Sequence, residues 1–287
     1  MPNGKLVIVP TPIGNLADMP PRALDALREA DAICAEDTRV TGKLLAALGV
    51  EGKRLERLDE NVIADRTAEI LARIAQGETI AYCTDAGMPG VSDPGLRLVA
   101  AARAAEPPMS VEVLPGPTAA ATAYVASGTV SPTFYFGGFF PRKDTARSNL
   151  LERLRSLDAA LIFYESPNRL VSALAAIAEA YPQREIAVAR ELTKVHEELV
   201  RGATAEVLAQ FRDRPSIKGE IVLVIDPPAP AELAPDPDAT ASRAAELAAQ
   251  GERPKAIART LAAEFNLSRN EAYALALKIS SQPTKQA

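Results

Sequence analysis

Three apolar runs, Lys5 to Val9, Thr79 to Cys83 and Val111 to Leu114, each stop at a stretch dense in glycine and proline. The second of these stretches, Thr84 to Gly95, constrains the fold most. Glycine and proline at this density can extend neither a strand nor a helix, so the chain must form a shaped loop between the run before it and the helix-like segment Leu96 to Ala105. Helical patterns also separate the other runs. Strand, loop and helix in alternation predict an α/β protein with a largely parallel sheet and all three loops on its carboxyl edge, where ligands bind in open sheets. Asp85 and Asp93 add acceptors for hydroxyl or amino groups, and the small residues allow close approach of backbone to a ligand.

The first loop, Pro10 to Leu16, precedes a helical pattern through Arg22, Ala23, Leu24, Leu27 and Ala30. A short apolar piece, Ala32 to Ala35, then delivers Glu36, Asp37 and Arg39 to its own carboxyl end. These charges read either as a surface turn with a local ion pair or as part of the site. Leu44 to Leu48 is read as a short helix closed by Gly49, and Leu58 to Asn61 as the cap of a helix over Ala64 to Ala75.

The pattern changes near Gly128. Phe134, Tyr135, Phe136, Phe139 and Phe140 are followed by Arg142, Lys143, Arg147, Arg153 and Arg155. Aromatic rings beside cations suit stacking on bases and contact with phosphates, and equally suit an edge strand followed by a solvated helix start. Strands are expected at Ala160 to Tyr164, Ile186 to Ala189 and Glu220 to Ile225, with a helix at Leu170 to Ala180. The expected domains are 1–127, 128–227, a Pro-rich linker over 228–240 and a helical extension over 241–287. In the extension, Pro254 to Ala262 and Ser268 to Tyr273 read as helix, tight turn and capped helix, with Glu271 three residues beyond Ser268. This resembles a helix-turn-helix, yet basic and acidic residues nearly balance, so groove reading of DNA is not expected.

A net charge of −5 argues against a protein that coats nucleic acid along its whole surface and leaves room for a local basic patch. Cys34 and Cys83 lie in apolar surroundings and read as core thiols. His196, placed by its neighbours at a charged helix start, is the one histidine, so neither a zinc site nor a histidine-based nucleophile is expected. The absence of a long apolar run and of a basic-then-apolar N-terminus points to the cytoplasm. No P-loop lysine pattern and no GxGxxG fingerprint is present, which disfavours nucleoside triphosphatases and dinucleotide dehydrogenases. A nucleoside-containing cofactor held mainly by backbone, such as S-adenosylmethionine, fits better.

Nine segments in order, Pro10–Leu16, Ala35–Arg39, Asp85–Pro89, Ser92–Gly95, Leu114–Pro117, Gly138–Lys143, Phe163–Pro167, Ala189–Lys194 and Lys218–Glu220, resemble the tetrapyrrole methylase fold family over about Leu6 to Asp226. The likeness is to its RNA-modifying branch, whose members carry a similar helical tail. The resemblance implies two α/β domains with S-adenosylmethionine in the cleft between them and a homodimer. It further implies methylation of the ribose 2′-hydroxyl of cytidine 1402 in 16S rRNA, at the decoding site of the small ribosomal subunit. By position, Pro12, Asp85, Ala86, Gly87, Thr118, Ala119, Phe163 and Gly219 would line the cofactor site, with Pro89, Ser92 and Asp93 from the same loop. Val40, Met88, Asn168 and the Asp59-Glu60-Asn61 segment depart from the family pattern, three of these four sites lacking a histidine found there.

A ribose hydroxyl is a poor acid, so a residue must accept or steer its proton. Glu36, Asp37, Arg39, Glu191 and Lys194 are the candidates, at strand ends on the presumed cleft edge. Lys194 would serve as base only with its pKa lowered by burial or by Arg190. An ion-pair network across the domain interface is the competing reading for the same residues. Arg142, Lys143, Arg147 and Arg190 are the expected RNA contacts. Two other functions compete: methylation of a tetrapyrrole precursor, which the basic run disfavours, and non-catalytic RNA binding or ribosome assembly, which the intact Asp85, Gly87, Pro89 and Asp93 disfavour.

Overall fold

The computed structural model describes residues 4–229, 232, 237–265 and 267–280. The chain forms two compact units, divided between Pro227 and Pro228.

The first unit holds two five-stranded sheets. In the N-terminal sheet, β1 (Lys5–Ile8), β2 (Ala32–Ala35), β3 (Arg54–Arg57), β4 (Thr79–Cys83) and β5 (Ser110–Val113) stand in the order β3-β2-β4-β1-β5, all parallel. The chain first winds one way through α1 (Pro21–Glu29) and α2 (Thr38–Ala47), then back through α3 (Ile63–Ala75) and α4 (Gly95–Ala104). Right-handed crossovers therefore place the two helix pairs on opposite faces. The pleat sorts the core accordingly: Val7, Ile33, Ala81 and Cys83 pack under Ala23, Leu27 and Leu45, while Leu6, Ile8, Cys34 and Tyr82 pack under Ile63, Ile70 and Leu98. All five carboxyl ends share one edge, as the three Gly/Pro loops require.

The second sheet has the order β6-β7-β10-β8-β9, from β6 (Phe134–Phe139), β7 (Ala160–Glu165), β8 (Glu185–Arg190), β9 (Glu198–Ala203) and β10 (Ile221–Ile225). Only the β6–β7 pair is parallel; the others are antiparallel. Helices α6 (Asp144–Leu154), α7 (Leu170–Ala180) and α8 (Thr204–Arg212) cover one face around Phe163, Leu174, Phe211 and Leu223. The other face takes α5 (Ala119–Ala126) and Ile13 from the first loop.

Two strands went unread in the sequence. β3 carries Arg54, Glu56 and Arg57 and passes for a polar loop, and β9 with α8 follows the segment in which His196 was read as a helix start. His196 instead stands exposed in a turn before β9. Helix α2 also begins earlier than read, at Thr38, where Asp37 accepts the Arg39 backbone N–H as N-cap.

The second unit contains helices Pro237–Ala249, Pro254–Glu264 and Arg269–Ser280 around Leu247, Ile257, Leu261, Ala272 and Ala276. The expected capping box is formed: the Ser268 backbone N–H donates to Glu271 Oε2 at 3.0 Å and the Glu271 N–H donates to Ser268 Oγ at 3.2 Å. The linker expected over 228–240 falls partly outside the described residues, as do 281–287 of the expected extension; within the described residues, helix already begins at Pro237. No helix among the described residues is long and apolar enough to cross a membrane.

Candidate active site

The loops at the carboxyl edge of the N-terminal sheet are fastened to each other and to the second sheet. Thr11 and Gly87 exchange both backbone hydrogen bonds, at 3.0 and 3.1 Å, which joins the loop after β1 to the loop after β4. The Asn15 N–H donates to Thr193 Oγ1 at 3.0 Å, which joins the first loop to the turn after β8. Gly14 makes that approach possible, since a Cβ there would stand 2.5 Å from Lys194 Cγ and 2.9 Å from the Leu192 carbonyl oxygen. Within the central loop, Asp93 Oδ1 accepts the backbone N–H groups of Gly90 and Gly95 at 2.7 and 2.8 Å, holding the loop closed on the start of α4.

These loops and the ends of β7 and β10 enclose a cavity of about 420 Å³. Ile13, Val91, Ala119, Leu192 and Val222 give it apolar walls. Its charged lining consists of Glu36, Asp85, Asp93, Glu165 and Glu220, and no lysine, arginine or histidine lines it. Such a cavity favours a cationic ligand and repels the phosphates of a dinucleotide or nucleoside triphosphate. Among the described residues, Thr84 Oγ1 is buried with no hydrogen-bond partner, while the fully buried Glu165 Oε2 faces Arg147 Nη2 at 3.9 Å. A buried hydroxyl of this kind is costly unless a ligand or water meets it.

Electrostatics separate the acidic candidates. Burial pushes the Glu36 carboxyl upward, and the facing Asp85 and Asp93 push it further. Asp85 is raised as well, chiefly by burial, although its Oδ1 accepts the Asp37 backbone N–H at 3.1 Å. Asp37 is different: the Arg39 guanidinium and N–H hold it far below the usual carboxylate range, with Arg39 Nη2 2.6 Å from Asp37 Oδ2. Asp37 and Arg39 are thus a capping ion pair at the rim.

Of the residues expected at the cofactor, Asp85, Ala86, Gly87, Ser92, Asp93, Thr118, Ala119 and Gly219 line the cavity, and Pro12 and Pro89 do not. Phe163 lies elsewhere. Its fully buried ring faces the α6–α8 core, 5.1 Å from the Phe140 ring centroid, because alternation along β7 sends the next residue, Tyr164, to the cavity instead. Lys194 lacks the lowered pKa that a base would need. Burial pulls its ammonium down, but bonds to Glu191 Oε1 at 2.9 Å and Glu220 Oε2 at 3.0 Å outweigh this and the net shift is upward. The Glu191 carboxylate is held down by Lys194 and by the Glu220 N–H. Glu191 has φ 52°, and Gly219, with φ 93°, lies so close that a Cβ there would meet Glu191 Cγ at 2.4 Å. This cluster fixes the turn beside the cavity.

Arg147 lies inside the fold. Its side chain is 3% exposed and is bound to the Pro141 carbonyl at 2.7 Å and to Ser172 Oγ at 3.1 Å, with Nη2 3.9 Å from Glu165 Oε2. It is enclosed too completely to reach RNA. Arg190 is occupied as well, donating to Glu198 Oε2 at 2.8 Å. Arg142 and Lys143 are exposed, and neither makes an ion pair among the described residues. Sequence reasoning missed Tyr164, Glu165 and Ser166; the Glu-Ser-Pro loop at the end of β7 was visible as a motif, but its strand could not be oriented without the sheet. Cys34 and Cys83 are free and buried, and burial pushes each thiol up to about 12, so both are unreactive core groups.

A parallel sheet with ligand loops at one edge, joined through α5 to a mixed sheet that closes the other side of an acidic cavity, defines a class. Residues 5–208 match the Tetrapyrrole (Corrin/Porphyrin) Methylases, and the chain belongs to that family. Its relatives include proteins called ribosomal RNA small subunit methyltransferase I. That of Erythrobacter litoralis is 46% identical over 274 residues, covering 96% of this chain and 95% of the relative. That of Synechocystis is 39% identical over 278 residues, covering 96% and 98%. Two solved structures share the fold: the methyltransferase CobJ, with TM-score 0.62 at 21% identity over 79% of this chain and 95% of that one, and diphthine synthase, with TM-score 0.60 at 14% identity over 78% and 90%.

The family's cofactor is S-adenosylmethionine, and the cavity fits it. A sulfonium and an ammonium are met by the Glu36, Asp85 and Asp93 carboxylates, and a nucleoside by the apolar walls.

Proposed function

We propose that this protein transfers the methyl group of S-adenosylmethionine to the ribose 2′-hydroxyl of cytidine 1402 in 16S rRNA, at the decoding site of the small ribosomal subunit. The observation that supports the cofactor half is the carboxylate-lined cavity; the names of the relatives support small-subunit ribosomal RNA as substrate, and the 2′-hydroxyl of cytidine 1402 is what the family resemblance implies. Bound sulfonium supplies an already activated methyl group, so the protein has to hold an acceptor in line and take one proton. The Asp85–Asp93 loop, Thr118, Ala119 and Gly219 hold the cofactor. Glu36 takes the proton, because among the acidic candidates it combines a place in the cavity with a raised affinity for protons. Asp37 with Arg39, and Glu191 with Lys194, position the two rims. Arg142 and Lys143 contact RNA phosphates.

The domains are read as 1–127 and 128–227 with the helical extension beyond the linker, and the protein as cytoplasmic. A homodimer is part of the same reading: Val125, Val130 and Phe134 are 77%, 95% and 46% exposed, and Phe134 is linked to α5 by a ring contact with Tyr124. Sedimentation as a monomer at micromolar concentration would remove that part alone.

The test is transfer of labelled methyl from S-adenosylmethionine to small subunits from cells lacking this protein, followed by nucleoside analysis. Label in 2′-O-methylcytidine is the expected result. Label on a tetrapyrrole precursor and none on RNA would overturn it.

A further inference from the structure

The helical extension carries a second concavity, of about 920 Å³, far from neutral in its lining: Arg253, Lys255, Arg259, Arg269, Asn270 and Tyr273. All four cations are exposed, and none makes an ion pair or hydrogen bond through its side chain among the described residues. Arg57, Arg66, Arg73, Arg190, Arg201 and Arg214 of the first unit, by contrast, all face carboxylates.

The near balance of charge in the extension is resolved by segregation. Glu246 and Glu264 are taken by Arg243, at 3.0 and 2.9 Å, and Glu271 is taken by the Ser268 cap. Every charged residue that lines the concavity is positive. Helical spacing produces it: Lys255 and Arg259 lie four apart on helix Pro254–Glu264, and Arg269 and Tyr273 lie four apart on helix Arg269–Ser280. Lys255 and Arg269 also sit in the first turns of these helices, so two positive dipole ends add to the side-chain charge.

We propose that this concavity is an RNA docking site, with the four cations on consecutive backbone phosphates and the 46% exposed Tyr273 ring and the Asn270 amide on an unpaired base. The inference rests on the reading of the protein as an RNA methyltransferase and extends it to a part of the chain that lines no part of the acidic cavity. An exposed ring beside an amide favours RNA with unstacked bases over a DNA duplex, whose base faces are closed. The site also answers a difficulty of the first unit, whose cavity is lined by carboxylates and repels the polyanion it is to modify.

The test is binding of the full chain to a fluorescent 16S rRNA fragment containing the decoding-site helix, titrated over a range of salt. Arg259→Ala with Arg269→Ala is expected to weaken binding at least tenfold at low salt and to flatten the log–log salt slope by about 1.4, at roughly 0.7 per phosphate contact. Arg259→Lys with Arg269→Lys should keep the slope. Unchanged slope and affinity in the alanine variant would overturn the site, as would tighter binding of a DNA duplex of the same sequence through the same residues. Methyl transfer by the unsubstituted chain, followed in parallel, reports on the enzymatic reading alone. Transfer with an unaltered salt slope would sink the docking site and leave the enzyme; a lowered slope without transfer would do the reverse.

Discussion

Glu36 shows how a single side chain ties stability to function. Its carboxyl is pushed upward first by burial and then by Asp85 and Asp93, so the folded chain binds that proton more tightly than the unfolded chain does. Stability is therefore full below the unfolded-state pKa and is lost as pH rises through the higher folded-state value. Glu36→Gln removes that loss, and the variant should melt at higher temperature than the parent at pH 7 and at the same temperature at pH 4. On the proposed role of Glu36 as proton acceptor, single-turnover methyl transfer by the variant should fall by about 10²- to 10⁴-fold. In the parent the same step should speed up as pH rises through the Glu36 titration. A variant that is less stable at pH 7, or as active as the parent, would remove Glu36 from this role. The importance of Glu36 was half legible in the sequence: a strand end carrying three charges was clear, but which of them faced the cavity was decided by Asp37 capping α2, a choice made by backbone geometry.

The segment from Arg142 through α6 shows where element-level reading fails. Five cations in sequence look like one basic face, because arginine is rarely buried. Arg147 is buried nonetheless, since β7 brings Glu165 and α7 brings Ser172 against it from far along the chain. Replacing it by methionine leaves Glu165 paired with Arg169 but strips the Pro141 carbonyl and the Ser172 hydroxyl of their buried donor, at a cost of about 1–3 kcal/mol. Arg147→Met should therefore lower the urea midpoint strongly, while Arg142→Ala with Lys143→Ala should leave the midpoint alone and flatten the salt dependence of RNA binding. The opposite assignment of the two phenotypes would return Arg147 to the RNA surface. The same limit hid β3. Its Glu56 is held by Arg66 and Arg73 of α3, so a strand that reads as polar is in fact anchored by long-range ion pairs. By contrast the Gly/Pro loops were legible throughout, because the constraint they place on backbone is local and needs no partner to be seen.

At the scale of the whole molecule, the two units differ in the charge that lines their concavities. Every residue that lines the acidic cavity precedes Pro228, and every residue that lines the basic concavity follows it. The first unit also holds four of the five apolar cores, and the fifth is confined to the extension. A chain ending at Pro227 loses no cavity wall and no part of the cores beneath it. It should unfold in one cooperative transition and bind S-adenosylmethionine with the affinity of the full chain, within about twofold by calorimetry. Its affinity for 16S rRNA should drop and its salt slope should flatten by more than in the double alanine variant, because all four cations leave together. Loss of cofactor binding in a folded truncated chain would mean that the extension completes the cofactor site. Retention of full RNA affinity would place the whole RNA surface on the first unit, among Arg142, Lys143 and the rim of an otherwise repelling cavity.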